Sequence, residues 1–271
     1  MEFKNKQFDG PYEVSSLEIN NNGQLLRGLL YFPSVKFKKP YPVIIYFHGF
    51  PQLFSLTEIV KNYKNLLDLG YALTFFNFRG YRYSEGNISI QSQISDGFKI
   101  IEFVELLAKE DIFKKNDINI IAHDLGAYIA LILCSHIKTI NKLNLISPIL
   151  DLKKHVHSKD FPKILSYINR FLPGNIKGIE NIENFIEFTK LELIKDEFQI
   201  EKFIKNLKNK KLKVVIGEND KLTPLIEVKT ILNHANIRYE LSLIENMDHN
   251  YNDEEELEKL NKEIINYFKY S

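Results

Sequence analysis

The sequence predicts an α/β protein: a mostly parallel, doubly wound sheet carrying a small helical cap. Two observations predict the sheet. Short apolar runs alternate with longer amphipathic segments along most of the 271 residues. Several of those runs are nearly continuous in β-branched and aromatic residues, the pattern of strands covered on both faces. A third observation predicts the cap. From Leu152 to Lys210 the rhythm loses its strands and keeps only helical patterns.

Taken in order, Tyr12–Asn20 and Leu25–Tyr31 read as two strands joined at "NNNG" (Asn20–Gly23), where Asn and Gly accept positive φ. The apolar runs then follow as Val43–Phe47, Tyr71–Phe78, Ile118–Ala122, Leu143–Ile146, Leu212–Ile216 and Tyr239–Ile244. Helical patterns lie between or after them at Leu56–Leu69, Ile94–Leu107, Leu125–His136, Leu225–Asn233 and Asp253–Phe268. Ile94, Phe98, Ile101, Val104 and Leu107 recur near helical spacing. Strand–helix alternation implies right-handed crossovers and a parallel sheet. Residues 1–151 and 211–271 are therefore expected to form the core, with 152–210 inserted as the cap. Helices are expected within the cap at Phe161–Phe171, Ile182–Leu191 and Glu197–Leu207. An excursion of that length is not expected to be a bare loop. The cap should cover the carboxyl edge of the sheet, where open α/β sheets bind ligands.

Composition narrows the function. Lys plus Arg (36) nearly balances Asp plus Glu (35), which gives no reason to expect nucleic acid or an anionic membrane as partner. A single cysteine, Cys134, lies within an apolar run and excludes an internal disulfide. The N-terminal stretch MEFKNKQFDGPYEV has no apolar core of a signal peptide, and no segment is apolar enough to span a bilayer. A cytoplasmic protein acting on a small molecule is the expectation, and no feature sets an oligomeric state.

Three features at predicted strand ends carry chemistry. Phe47-His48-Gly49-Phe50-Pro51 closes the run VIIYF, and Gly49 permits a tight turn that directs the Phe50 N–H inward. Ala122-His123-Asp124-Leu125-Gly126 joins the strand INIIA to the helix LGAYIALIL. Small residues at Ala122 and Gly126 let a sharp strand-to-helix turn pack, which lifts Asp124 to the helix N-terminus. This is a nucleophile elbow with Ala for the first Gly and Asp for Ser. The helix end favours negative charge, and the N–H groups of Leu125 and Phe50 are candidates for an oxyanion hole. Finally, Gly217-Glu218-Asn219-Asp220 follows the strand LKVVI, and Met247-Asp248-His249-Asn250 follows YELSLI.

"FHGFP", "FNFRGYRYSEG", "AHDLGA", "GENDKLTP" and "MDHN" occur in this order on these elements. The chain from about Leu25 onward resembles the α/β-hydrolase-fold superfamily. That resemblance implies a nucleophile at Asp124, an acid at Asp220 and a base at His249, in the family's order. "NFRGYRYSEGN" and "DHNY" resemble small esterases and dienelactone hydrolases, most of which use serine. "HGFP" and "HDLG" resemble epoxide hydrolases and dehalogenases, which use aspartate. The absence of Trp and the presence of Leu125 after the elbow depart from the halide-binding pattern. Tyr167 is the one tyrosine of the expected cap and the candidate substrate contact for epoxide opening.

An elbow carboxylate is already ionised near neutral pH. It can attack an sp³ carbon to give an alkyl ester, which a His-activated water then hydrolyses. No cofactor is required, and substrates of ester, epoxide or halide type stay open. Other readings stand beside this one. Asp124 is also a favoured helix N-cap residue, so a non-catalytic binding protein, or an esterase-like scaffold whose serine is replaced, is the alternative. Asp151, after the preceding strand, is the rival to Asp220. His155 and His157 form an H-x-H pair without a set of further metal ligands. His48 is expected to shape its loop, and His123, His136 and His234 to pack or face solvent.

Overall fold

The structure, a computed structural model, describes residues 7–207 and 210–270. Nine strands form one sheet: β1 (Gln7–Asp9), β2 (Tyr12–Asn21), β3 (Gln24–Tyr31), β4 (Tyr41–Phe47), β5 (Ala72–Phe76), β6 (Phe113–His123), β7 (Ile140–Ile146), β8 (Lys211–Gly217) and β9 (Glu240–Ile244). Their order is β1-β2-β3-β5-β4-β6-β7-β8-β9. The first three strands and the β3–β5 pair are antiparallel, and every pair from β5 to β9 is parallel. The β2–β3 turn is tighter than the four-residue reading: only Asn22 and Gly23 lie between the strands, both at positive φ. That is the geometry a two-residue hairpin needs.

Around the sheet lie α1 (Leu56–Tyr63), α2 (Ile90–Lys109), α3 (Leu125–His136), α8 (Leu225–His234) and α9 (Glu254–Tyr270). Side chains alternate across β4: Val43, Ile45 and Phe47 join the core containing α2 and α3, while Ile44 and Tyr46 join the core containing α1 and α9. Covering on both faces is why this strand reads as an unbroken apolar run. Helix α3 is buried along Leu125–Cys134, consistent with its all-round apolar sequence. Cys134 sits within it, its thiol pushed up to about 12 by burial. Helix α2 starts four residues before the first expected position, because Ser89 and Ser92 form a reciprocal capping box.

Between β7 and β8 come α4 (Leu152–Val156), α5 (Phe161–Phe171), α6 (Ile182–Leu193) and α7 (Ile200–Phe203). The helix expected over Glu197–Leu207 is instead α7 between two 3-10 turns, Asp196–Phe198 and Ile204–Leu207. Tertiary contacts override its helical pattern: Phe198, Ile200, Ile204 and Leu207 are all buried, and the Tyr128 hydroxyl donates to the Phe198 carbonyl. Residues 208 and 209 of the expected cap lie outside the described residues.

Two devices fasten these helices to the core. Tyr81 and Ile176 form an antiparallel bridge, with Lys177 N–H donating to Gly80 O and Ile88 N–H to Lys177 O. Glu192 of α6 is buried, and its carboxylate accepts the N–H groups of Ile90 (2.9 Å) and Gln91 (3.0 Å). A negative charge at the first turn of α2 meets both free donors and the positive end of the helix dipole.

Candidate active site

Strand order sets the site's position. β4 lies between β5 and β6, so the chain reverses its winding beside β4. Loops leaving β4 and β6 then diverge and open a crevice, as at other topological switch points. The β4–β6 register pairs Phe47 with Ala122, which brings the Phe50 loop level with Asp124.

Asp124 has φ 53° and ψ −121°, a conformation that costs a non-glycine residue about 1–3 kcal/mol. Close packing enforces it. A Cβ on Gly126 would stand 2.4 Å from the Phe47 carbonyl oxygen, so only glycine lets α3 approach β4 this closely. The Asp124 side chain makes no capping bond to α3. Asp124 thus holds the N-cap position without capping α3 through its side chain. The backbone turns its carboxylate away from the helix end and into the crevice.

The two carboxylate oxygens of Asp124 differ. Oδ2 accepts the Phe50 N–H at 2.6 Å. Oδ1 is buried with no hydrogen-bond partner, and His249 Nε2 lies 3.5 Å from it. On the other side of the ring, His249 Nδ1 is 3.1 Å from Asp220 Oδ2 and 3.2 Å from Oδ1. Asp220 also accepts the N–H of Leu222 (3.0 Å) and of Thr223 (2.8 Å), and the Thr223 hydroxyl. The loops after β8 and β9 meet because Gly217 has no side chain: a Cβ there would lie 2.1 Å from the Met247 carbonyl oxygen.

Charge follows from this geometry. Burial alone would lower the His249 pKa, but Asp124 and Asp220 outweigh it and raise it to about 10. Burial acts to raise both carboxyls. For Asp220 the His249 imidazole and the Thr223 donors prevail, and the group stays well below the ordinary carboxylate range. For Asp124, His249, His123 and the Phe50 N–H lower it. At neutral pH the resting site is an imidazolium held between two carboxylates.

The structure brings Asp124, Asp220, His249 and the Phe50 N–H together. Leu125, the other expected oxyanion residue, opens α3 directly after Asp124. Asp151 is not at His249: its side chain caps α4 through the Lys154 N–H at 2.8 Å. Tyr167, expected as the substrate contact, lies elsewhere. It is 55% exposed and packs on Phe171, because it falls on the outward face of α5 while Ile164 falls on the inward one.

Sequence reasoning passed over three residues. His123 was expected to pack or face solvent. Its Nε2 lies 3.1 Å from the His249 carbonyl oxygen, and its ring rests against those of His249 and Tyr251. His155 was weighed only as half of a metal pair. It faces the cavity above Asp124, whereas His157 faces solvent. Tyr251 lines the same cavity, its hydroxyl 3.3 Å from that of Tyr63. No local pattern marks these residues, since each reaches the site through a fold contact. His48 shapes its loop: Nδ1 meets the Gly49 carbonyl at 2.9 Å and Nε2 accepts the Phe78 N–H at 3.2 Å.

The cavity over Asp124 has a volume of about 580 Å³ and is walled by the Phe50 loop, His155, Ile164, Leu222 and Tyr251. Among the described residues, no group of three or more His, Cys, Asp or Glu side chains is placed to hold a metal, and no helix is long and apolar enough to cross a membrane.

Comparison with known proteins agrees with this architecture. The sequence model of the alpha/beta hydrolase fold family matches residues 42–188. Lysophosphatidylserine lipase ABHD12 of Danio rerio is 31% identical over 142 residues, 51% of this chain and 35% of that protein. The Xenopus tropicalis lipase of the same name is 28% identical over 138 residues, 49% of this chain and 33% of that protein. The chain thus spans about a third of the length of these curated relatives. Among solved structures, Est1E from Butyrivibrio proteoclasticus with bound ferulic acid superposes with a TM-score of 0.67 at 18% identity, covering 93% of this chain and 99% of that one. An esterase of Pyrococcus furiosus superposes with a TM-score of 0.69 at 19% identity, covering 95% and 91%. At such identities these structures establish the fold, and the family match extends over more than half of the sequence: the chain belongs to the alpha/beta hydrolase fold family.

Proposed function

We propose that this hydrolase acts on a small, largely apolar substrate without a cofactor, with Asp124 as covalent nucleophile and His249, oriented by Asp220, activating water. One observation carries the reading. Asp124 Oδ2 is held by a backbone N–H, while Oδ1 is buried and faces His249 Nε2 at 3.5 Å.

The chemistry balances best for an epoxide. Asp124 Oδ1 attacks a ring carbon, the C–O bond breaks, and its electron pair goes to the ring oxygen. The ring oxygen leaves on the side away from Oδ1 and receives the proton of the His249 imidazolium by relay through cavity solvent, leaving a hydroxyalkyl ester of Asp124 and a neutral imidazole. Esterification removes the Asp124 charge that favoured the imidazolium, so His249 now accepts a proton from water. Hydroxide attacks the ester carbonyl, and the developing oxyanion at Oδ2 is already at the Phe50 N–H. Collapse releases the diol and restores the carboxylate and the imidazolium. His155, neutral because burial lowers its pKa, faces the cavity from the cap and supports the leaving oxygen, in the place expected of Tyr167.

A halide would leave without needing a proton, and the chain lacks the tryptophans that commonly bind it. Ester cleavage is the second reading, favoured by the lipase relatives. Against an ordinary ester, however, the carboxylate would have to form an anhydride.

The test is a panel of epoxides, haloalkanes, lactones and short esters with wild type and Asp124→Ala, followed by single turnover in H₂¹⁸O. The proposal expects the label to enter the Asp124 carboxylate during the first turnover, and Asp124→Ala to lose at least about a thousandfold in rate. Label found only in the product, or ester turnover that survives Asp124→Ala, overturns it.

A further inference from the structure

A second, narrower chamber adjoins the main cavity at Phe50. Its floor is Phe50 and Leu125, its roof is cap residues such as Phe161 and Phe185, and its side wall is the first turn of α2. It has about 30 Å³ of free volume and shares Phe50 and His155 with the cavity over Asp124. Since about 10–15 Å³ accommodates one water-sized group, it holds two or three.

The lining is mostly apolar with one anomaly. Gln93 is 1% exposed, lines this chamber, and its Oε1 has no hydrogen-bond partner. Ser89 Oγ accepts the Ser92 N–H and the Thr189 hydroxyl donates to Phe185 O, while the His155 ring, packed on Phe161, is the other polar side chain of the lining. A buried amide oxygen left unpaired is costly in the free protein. Packing does not require it, because an unbranched apolar side chain would fill the same position. The Glu192 contact holds this wall in place by fixing the N–H groups of Ile90 and Gln91 beside it.

We propose that this chamber is a substrate subsite for a short arm of two or three heavy atoms, a hydroxymethyl group or a primary amide, read by Gln93. An amide side chain both donates and accepts, so either group can pair with it. The inference deepens the epoxide reading and rests on it for the reaction, though not for binding. It assigns the enzyme a substrate whose reactive carbon carries a small polar-tipped substituent, with the remaining bulk in the larger cavity.

The test compares glycidol with 1,2-epoxybutane, which differ by a hydroxyl in place of a methyl group. Wild type, Gln93→Leu and the volume-conserving Gln93→Met are assayed for kcat/KM. Binding of the unreactive probe propionamide is measured by ligand-observed NMR. Wild type is expected to favour glycidol over 1,2-epoxybutane by about tenfold or more in kcat/KM, and both variants to lose that preference. Propionamide should bind the variants at least about tenfold more weakly, and their melting temperatures should not fall. Propionamide binding that depends on Gln93 without any epoxide turnover would keep the subsite and overturn the reaction. Equal glycidol preference or equal propionamide binding in wild type and both variants would overturn the subsite.

Discussion

Replacing Asp124 by Asn should convert His249 from an imidazolium into a base available near neutral pH. The side chain keeps its shape, and its amide oxygen can still accept the Phe50 N–H. Only the charge is lost. His249 is flanked by carboxylate oxygens at 3.5 Å (Asp124) and 3.1 Å (Asp220), and together they lift its pKa to about 10. An opposite charge at such a distance favours the ionised form by about one to three pH units. At an effective dielectric constant of about 20, Coulomb's law over 3.5 Å gives about 5 kcal/mol, an upper figure consistent with that range. The His249 titration midpoint should therefore fall by about one to three pH units in Asp124→Asn. The assay is a pH series of imidazole ¹⁵N and ¹H shifts in wild type and variant. Asp220→Asn serves as a second perturbation of the same sign. The experiment also probes the mechanism, since an ester on Asp124 lacks the same charge. An unchanged midpoint in Asp124→Asn would refute the argument that the elbow charge sets the state of the base.

Stability should follow the same charges. The folded pKa of His249 lies above its ordinary 6.5, so its contribution is fully present below pH 6.5 and is lost as pH rises through about 10. Asp124 and Asp220 lie below their ordinary 3.8, so theirs is present above that pH and is lost as pH falls further. Melting temperature against pH should show a plateau between these limits, with an alkaline edge that Asp124→Asn moves downward. Glu192→Ala leaves the Ile90 and Gln91 N–H groups without their acceptor and should cost about 2–4 kcal/mol in urea denaturation. Hydrogen exchange should quicken at the start of α2. Leu131→Ala, within the fully buried α3, should cost about 2–5 kcal/mol in the same assay without altering the His249 titration.

The sequence by itself determined the alternation of strands and helices, the elbow at Asp124 and the order of the late acid and histidine. Those features are local. A strand covered on both faces must be apolar at successive positions, as Val43–Phe47 is, and a turn as sharp as the elbow must have a residue as small as Gly126 beside it. Tertiary structure alone decided which acid serves His249, because Asp220 and Asp151 both follow strands and only loop packing separates them. It also turned Tyr167 outward and brought His155 to the cavity over Asp124, since the helical pattern of α5 shows two faces but not which one meets the core. The Phe50 contact with Asp124 and the Glu192 contact with α2 join residues 74 and 102 positions apart, and the unpaired Gln93 amide depends on walls from several elements. Such pairings have no periodicity and no spacing rule. They arise only when the strands fix their register and the cap closes over the crevice, which is why they could not be read from the chain.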